Sequence, residues 1–173
     1  MLLLNKAFVD PVTMSTMNQT ASYHDRQSFP VDVFNEQDYI EIDENKIKFI
    51  CSKIISDAGF RTGRLGVVLT DNVAIHLLNH KYLGHDCATD VISFTVEFTD
   101  SHLEAEVVVS AQVAKERCME FDMVEEEELL LYVIHGVLHQ VGYDDKTTHD
   151  KLTMRRMETA YLTLLDCTTT EDD

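Results

Sequence analysis

The sequence predicts an α/β (α+β) domain: a single-layer mixed sheet of about four strands packed with about five helices, with a metal site at the end of a central helix. Three observations carry this. Segments with strand periodicity interleave with segments of helical periodicity from residue 27 onward. One helical pattern, ending near Val141, is apolar over a face broad enough to lie at the centre of the core. The chain has 173 residues, 45% of them hydrophobic, which suits one core and one domain.

Residues 1–26 are rich in Ser, Thr, Asn, Gln and Met and show neither period, so a disordered or loosely attached extension is expected there. The domain then runs from 27 to 165, and 166–173 form an acidic tail ending Glu171-Asp172-Asp173. Gln27 to Phe34 alternates Phe29, Val31 and Val33, and Pro30 places this first strand at a sheet edge. Glu44 to Ala58 carries Ile47, Ile50, Cys51, Ile54 and Ala58 at helical spacing, with Gly59 as the stop. Leu65 to Leu69 reads as a buried strand. Asp71 caps a helix to about Tyr82 whose inner face carries Val73, Leu77 and Leu78. Val91 to Phe98 and Glu106 to Val109 are strands joined through a polar turn at 99–102, an antiparallel pair. Ser110 caps a helix to about Met119. The central helix starts near Asp122, which forms a capping box with Glu125, and Glu125 to Glu128 complement its dipole. Thr148 to Leu165 closes the domain, with Leu152, Met157, Ala160, Tyr161 and Leu164 inward.

The formal net charge is −17. That weighs against a free-standing nucleic-acid binder, since such affinity rests on cations that displace counterions from phosphate. A local basic surface remains available from residues such as Lys81, Lys115, Arg117, Lys146, Lys151, Arg155 and Arg156, though most of these solvate helix faces. Cys51, Cys87, Cys118 and Cys167 have no C-x-x-C spacing and read as reduced thiols of a cytoplasmic protein with no disulfide-linked partner. No apolar run approaches a membrane span.

The chemistry concentrates in His135-Gly-Val-Leu-His-Gln-Val-Gly-Tyr-Asp-Asp145. His135 and His139, four apart on a helix, face the same way and can both reach one ion. Gly142 lets the chain reverse, and Asp145 then returns to that ion, with Asp144 a competitor for the third position. Two histidines at this spacing also occur in ordinary cores. The glycine and the carboxylate after them favour a metal with three protein ligands and an open fourth position, the catalytic arrangement for zinc. The donor set also suits manganese, nickel or iron.

The same segment resembles the signature H-G-x-L-H-x-x-G-Y-D-H of the YbeY family, bacterial endoribonucleases of rRNA maturation, and matches ten of its eleven positions. A second stretch, Leu78-Asn79 with Tyr82 and then Thr89-Asp90-Val91-Ile92-Ser93-Phe94, resembles the family's L-N-x-x-Y-R and T-D-V-L-S-F. The resemblance covers about residues 27–165 and implies a Zn2+-dependent endoribonuclease of 16S rRNA 3′-end maturation and ribosome assembly. Precursor rRNA and the small ribosomal subunit or its assembly proteins are the implied partners. It favours Asp145 over Asp144 as third ligand, by register, and leaves Asp144 to orient a neighbour. Thr89, Asp90 and Ser93 are then candidates for the cleft, against a local role in closing a turn. Two positions depart from the pattern: Asp145 stands where the family usually has His, and Leu83 where it usually has Arg. Lys81, Lys146 and His85 are the nearest substitutes for that lost cation. Two other readings stay open. One is a ribosome-assembly or scaffold protein that keeps a structural metal. The other is a zinc peptidase, disfavoured because Gly136 occupies the position of the general base Glu.

Overall fold

The computed structural model describes residues 28–121 and 124–169. The expected extension, the expected cap Asp122 and the last four residues lie outside them. Strands β1 (Val31–Asn35), β2 (Thr62–Thr70), β3 (Val91–Phe98) and β4 (His102–Ser110) form one mixed sheet in the order β1-β2-β4-β3. β1 lies parallel to β2 and β2 parallel to β4, while β3 returns antiparallel to β4 at the other edge. The apolar runs 65–69 and 106–109 are the C-terminal parts of longer strands. Their beginnings pair in register from Thr62 against His102; in β4 this stretch alternates buried Leu103 and Ala105 with Glu104 and Glu106.

Among the described residues, five α-helices accompany the sheet. Helix α1 (Glu44–Asp57) is capped by the Asp43 carboxylate, which accepts from the Asn45 N–H. It buries Ile47, Ile50, Cys51 and Ile54 against the main core. Helix α2 (Asn72–Leu78) is capped by Asp71, continues through a π-helical turn at Asn79–Leu83, and ends at Gly84 in the left-handed region. Its inner face is not the expected one. Val73 and Leu77 are exposed, and Ile75 with Leu78 packs on Ile92, Val108 and Phe94, on the sheet face turned away from the main core. Both stripes have helical spacing, and only the docked sheet decides between them.

Ser110 caps α3 (Ala111–Phe121), its hydroxyl accepting from Val113 N–H. Helix α4 (Glu125–Gln140) follows Val124, which supplies no side-chain cap, so Glu125 takes the first helical position and no capping box reaches it. Glu126 instead pairs with Lys46 at 2.9 Å. In α5 (Thr148–Thr169) the buried residues are Met154, Met157, Tyr161 and Leu165, and Leu152 is exposed, a rotation of the expected face. Cys51, Cys87 and Cys118 are free thiols. Among the described residues no helix is long and apolar enough to cross a membrane.

Helix α4 is packed nearly all round, burying Leu129, Leu130, Val133, Ile134, Val137 and Leu138. It lies against the sheet at Gly136, where a Cβ would meet Val107 Cγ1 at 2.6 Å and Val91 Cγ2 at 2.8 Å. Valine methyls are stiffly held, so relief needs backbone movement. Gly136→Ala is expected to cost about 1–3 kcal/mol in urea unfolding; unchanged stability would show that the helix rides free of the sheet.

Candidate metal centre

Helix α4 ends in two linked hydrogen bonds: Gly142 N–H donates to His139 O at 3.1 Å, and Tyr143 N–H to Leu138 O at 3.0 Å. This is the Schellman ending, and it requires the positive φ of Gly142, 104°. The reversal has a chemical consequence. It brings the Tyr143 carbonyl behind His139, where it accepts from Nδ1 at 3.0 Å. A carbonyl only accepts, so His139 carries its proton on Nδ1 and bares the Nε2 lone pair. His135 is fixed in the same way by Glu158 of α5, whose Oε1 lies 2.6 Å from Nδ1. Both Nε2 atoms therefore turn to one point, 3.0 Å from each other. Bare lone pairs at that separation repel unless a proton or a cation lies between them. Tetrahedral zinc, with bonds of about 2.0–2.1 Å, separates two imidazole nitrogens by roughly 3.3 Å, so the pair stands near ligand spacing.

Asp145 completes the group. Its carboxylate and the two imidazoles offer ligand atoms all within 4.8 Å of one another, and no other set of three His, Cys, Asp or Glu among the described residues does so. Asp144 is engaged elsewhere: one oxygen accepts from the Asp145 N–H at 2.8 Å and the other from Lys146 at 2.6 Å. Lys146 holds the Asp144 carboxyl below its ordinary range. The Glu158 hydrogen bond raises the His135 pKa, burial opposes it, and the charges of Glu158, Asp145 and Asp90 add to the rise. The donor set of two oriented neutral imidazoles and one carboxylate fits a divalent transition metal.

Comparison with known proteins gives the family. The family profile described as Endoribonuclease YbeY matches residues 32–166. The chain belongs to the YbeY family. It is 34% identical to the protein named Endoribonuclease YbeY of Salinibacter ruber, over 77% of this chain and 90% of that one. It is 42% identical to the protein of that name from Rhodopirellula baltica, over 62% of this chain and 56% of the relative. The solution structure of TM1509 from Thermotoga maritima has the same fold, with a TM-score of 0.55 at 22% identity, covering 83% of this chain and 96% of that one.

The second YbeY motif is divided between two places. Asp90 closes the turn into β3, its Oδ1 accepting from Thr89 Oγ1 at 2.8 Å and from Val91 N–H at 2.9 Å, and its charge acts on His135. Ser93 shares a strand face with Val91, which abuts Gly136, and with Thr95, whose hydroxyl donates to Gln140 Oε1 at 2.7 Å. That face is turned to α4. Lys81, by contrast, stands 4.8 Å over the ring of Tyr82, which packs edge-on against Phe94 on the opposite sheet face. Leu83 and His85 are exposed beside it. No hydrogen bond or ion pair joins Lys81 or His85 to His135, His139 or Asp145 among the described residues.

Sequence reasoning missed Glu158. It lies 23 residues from its partner, on another helix, and a glutamate on a half-polar helix has no local mark. Glu158→Gln is expected to weaken metal binding by about 10–100-fold in competition with a chromophoric chelator. Unaltered affinity would mean that the Glu158 carboxylate does not set the His135 tautomer.

Proposed function

We propose that this chain is a metal-dependent endoribonuclease of ribosomal RNA, acting in 16S rRNA 3′-end maturation and ribosome assembly in the cytoplasm. One Zn2+ would be held by His135, His139 and Asp145, with precursor rRNA and the small ribosomal subunit as partners. The observation that carries this reading is the converging pair of Nε2 lone pairs beside the Asp145 carboxylate, in a chain of the YbeY family. The relatives' name, Endoribonuclease YbeY, supports the substrate class. When bound, zinc supplies Lewis acidity toward a phosphodiester oxygen and acidifies water.

The chain's own residues do the rest. Glu158 and the Tyr143 carbonyl hold the protons of both imidazoles on Nδ1, so neither ring is free to turn. The buried body of α4 keeps the ligands rigid. Asp145 in place of a neutral histidine adds one negative charge to the ligand set, which lowers the Lewis acidity available to substrate. Ser93, on the strand face turned to α4, would meet substrate, and Thr89 and Asp90 would shape the wall beside it. Lys81 and His85 can serve the substrate only from the neighbouring sheet face.

A second reading, an assembly or scaffold protein with a structural metal, is favoured by one observation: an exposed leucine, Leu83, stands where the family pattern has arginine. The peptidase reading lacks support, because position 136 faces Val107 and Val91 rather than open space where a base could act. The deciding experiment incubates a precursor 16S 3′ fragment with zinc-loaded wild type and His139→Ala, purified side by side. Wild type alone is expected to cut, chelator to stop it, and zinc to restore it. Cutting by neither, with assembly function kept in folded His139→Ala, would replace the nuclease by the scaffold.

A further inference from the structure

A phosphodiester brought to the centre meets Asp90, Asp145 and Glu158, so the cations that hold RNA there must come from an adjoining surface. The chain has 14 Lys and Arg against 31 Asp and Glu, and several of the cations are already neutralised. Lys46 pairs with Glu126, Lys48 with Glu44, Lys53 with Asp57, Lys115 with Glu125 and Lys146 with Asp144. Arg61, Arg64, Lys81, Arg117 and, on helix α5, Lys151, Arg155 and Arg156 are exposed and join no ion pair among the described residues; only the α5 cations share a helix with a residue bonded to the metal centre.

Their place on the helix is specific. Lys151, Arg155 and Glu158 follow the spacing i, i+4, i+7, which sets them on one flank of α5 at successive turns. Glu158 is anchored at 2.6 Å on His135, so this is the flank that meets the metal centre. The core takes the adjoining side, through Met154, Met157, Tyr161 and Leu165, so Glu158 stands at its edge and Lys151 and Arg155 lie beyond it toward solvent. Arg155 also adjoins Leu152, Arg156 and Thr159 on the outward surface of the helix. Leu152, 57% exposed, adds an apolar surface beside the charges.

We propose that Lys151 and Arg155 bind backbone phosphates of the RNA strand that enters the metal centre, with α5 supplying the cationic wall that residue 83 does not. This rests on the reading of the chain as an RNA nuclease. Single-stranded RNA is the occupant, because two exposed cations at successive turns beside the metal centre, neither in an ion pair among the described residues, are complementary to a phosphate backbone. Binding through them is sequence-independent, and specificity lies elsewhere.

The test uses the full-length zinc-loaded protein and a fluorescein-labelled precursor 16S 3′ fragment, with anisotropy read over a range of salt concentrations and cleavage followed in parallel. The double variant Lys151→Gln/Arg155→Gln should bind at least about tenfold more weakly at low salt, and its log K against log salt slope should be shallower by roughly 1.4. Its KM should rise. The charge-keeping Lys151→Arg/Arg155→Lys should keep the wild-type slope. Lys48→Gln/Arg64→Gln, the same charge change on α1 and β2, should bind nearly as wild type does. Metal content and thermal midpoint, measured on each variant, separate lost binding from lost folding. Equal affinity and slope in the α5 and control variants, with wild type still cutting, would overturn this proposal and leave the nuclease standing. Wild type that neither binds nor cuts the fragment would overturn both.

Discussion

Two imidazole nitrogens turned on each other 3.0 Å apart, with room for one shared proton or cation, are the arrangement that the rest of this fold must sustain. It does not arise from α4 alone. A helix brings residues four apart to the same face but leaves each ring free to rotate and to choose its tautomer. Here one ring is fixed by a carbonyl that the Schellman turn puts in place, the other by a carboxylate on the following helix. The centre thus depends on three elements at once: the body of α4, the reversal at Gly142, and the docking of α5. Loosening any of them frees an imidazole.

The position of α4 rests on a close approach to the sheet. Gly136 lets the helix settle against Val107 and Val91, which fixes the depth of the flanking His135. The strand face it meets carries Thr95, bonded to Gln140, so the end of α4 is tied to β3 next to the last histidine. A divalent cation bound between the imidazoles relieves their repulsion and stabilises only the folded state, by RT ln(1 + [L]/Kd). Charge is distributed less favourably. Glu158, Asp145 and Asp90 all suit a cation and all oppose a phosphate, so a surface that holds the ion is a poor one for RNA.

What was legible in the sequence was what is local. The spacing of His135 and His139, the glycine after them and the carboxylate beyond are all readable from helix and turn geometry, and the structure brings those three side chains together. The antiparallel β3–β4 pair was legible from its short link. Contacts that depend on docking were not. Glu158 lies on another helix, the inner face of α2 was set by Ile92 and Val108 rather than by its own pattern, and α5 turned Met154 inward where Leu152 was the expected contact. The strand start at Thr62 escaped because it pairs through the backbone and carries a polar side chain.

The most direct test of the account is the zinc K-edge X-ray absorption spectrum of protein loaded with one equivalent of metal, compared with Asp145→Asn. The account predicts two imidazoles and oxygen donors at about 2.0–2.2 Å, with the imidazole count unchanged in the variant and the oxygen shell altered. A sulfur shell at about 2.3 Å, or a shell of oxygen atoms alone, would place the metal elsewhere and contradict the assignment of His135, His139 and Asp145.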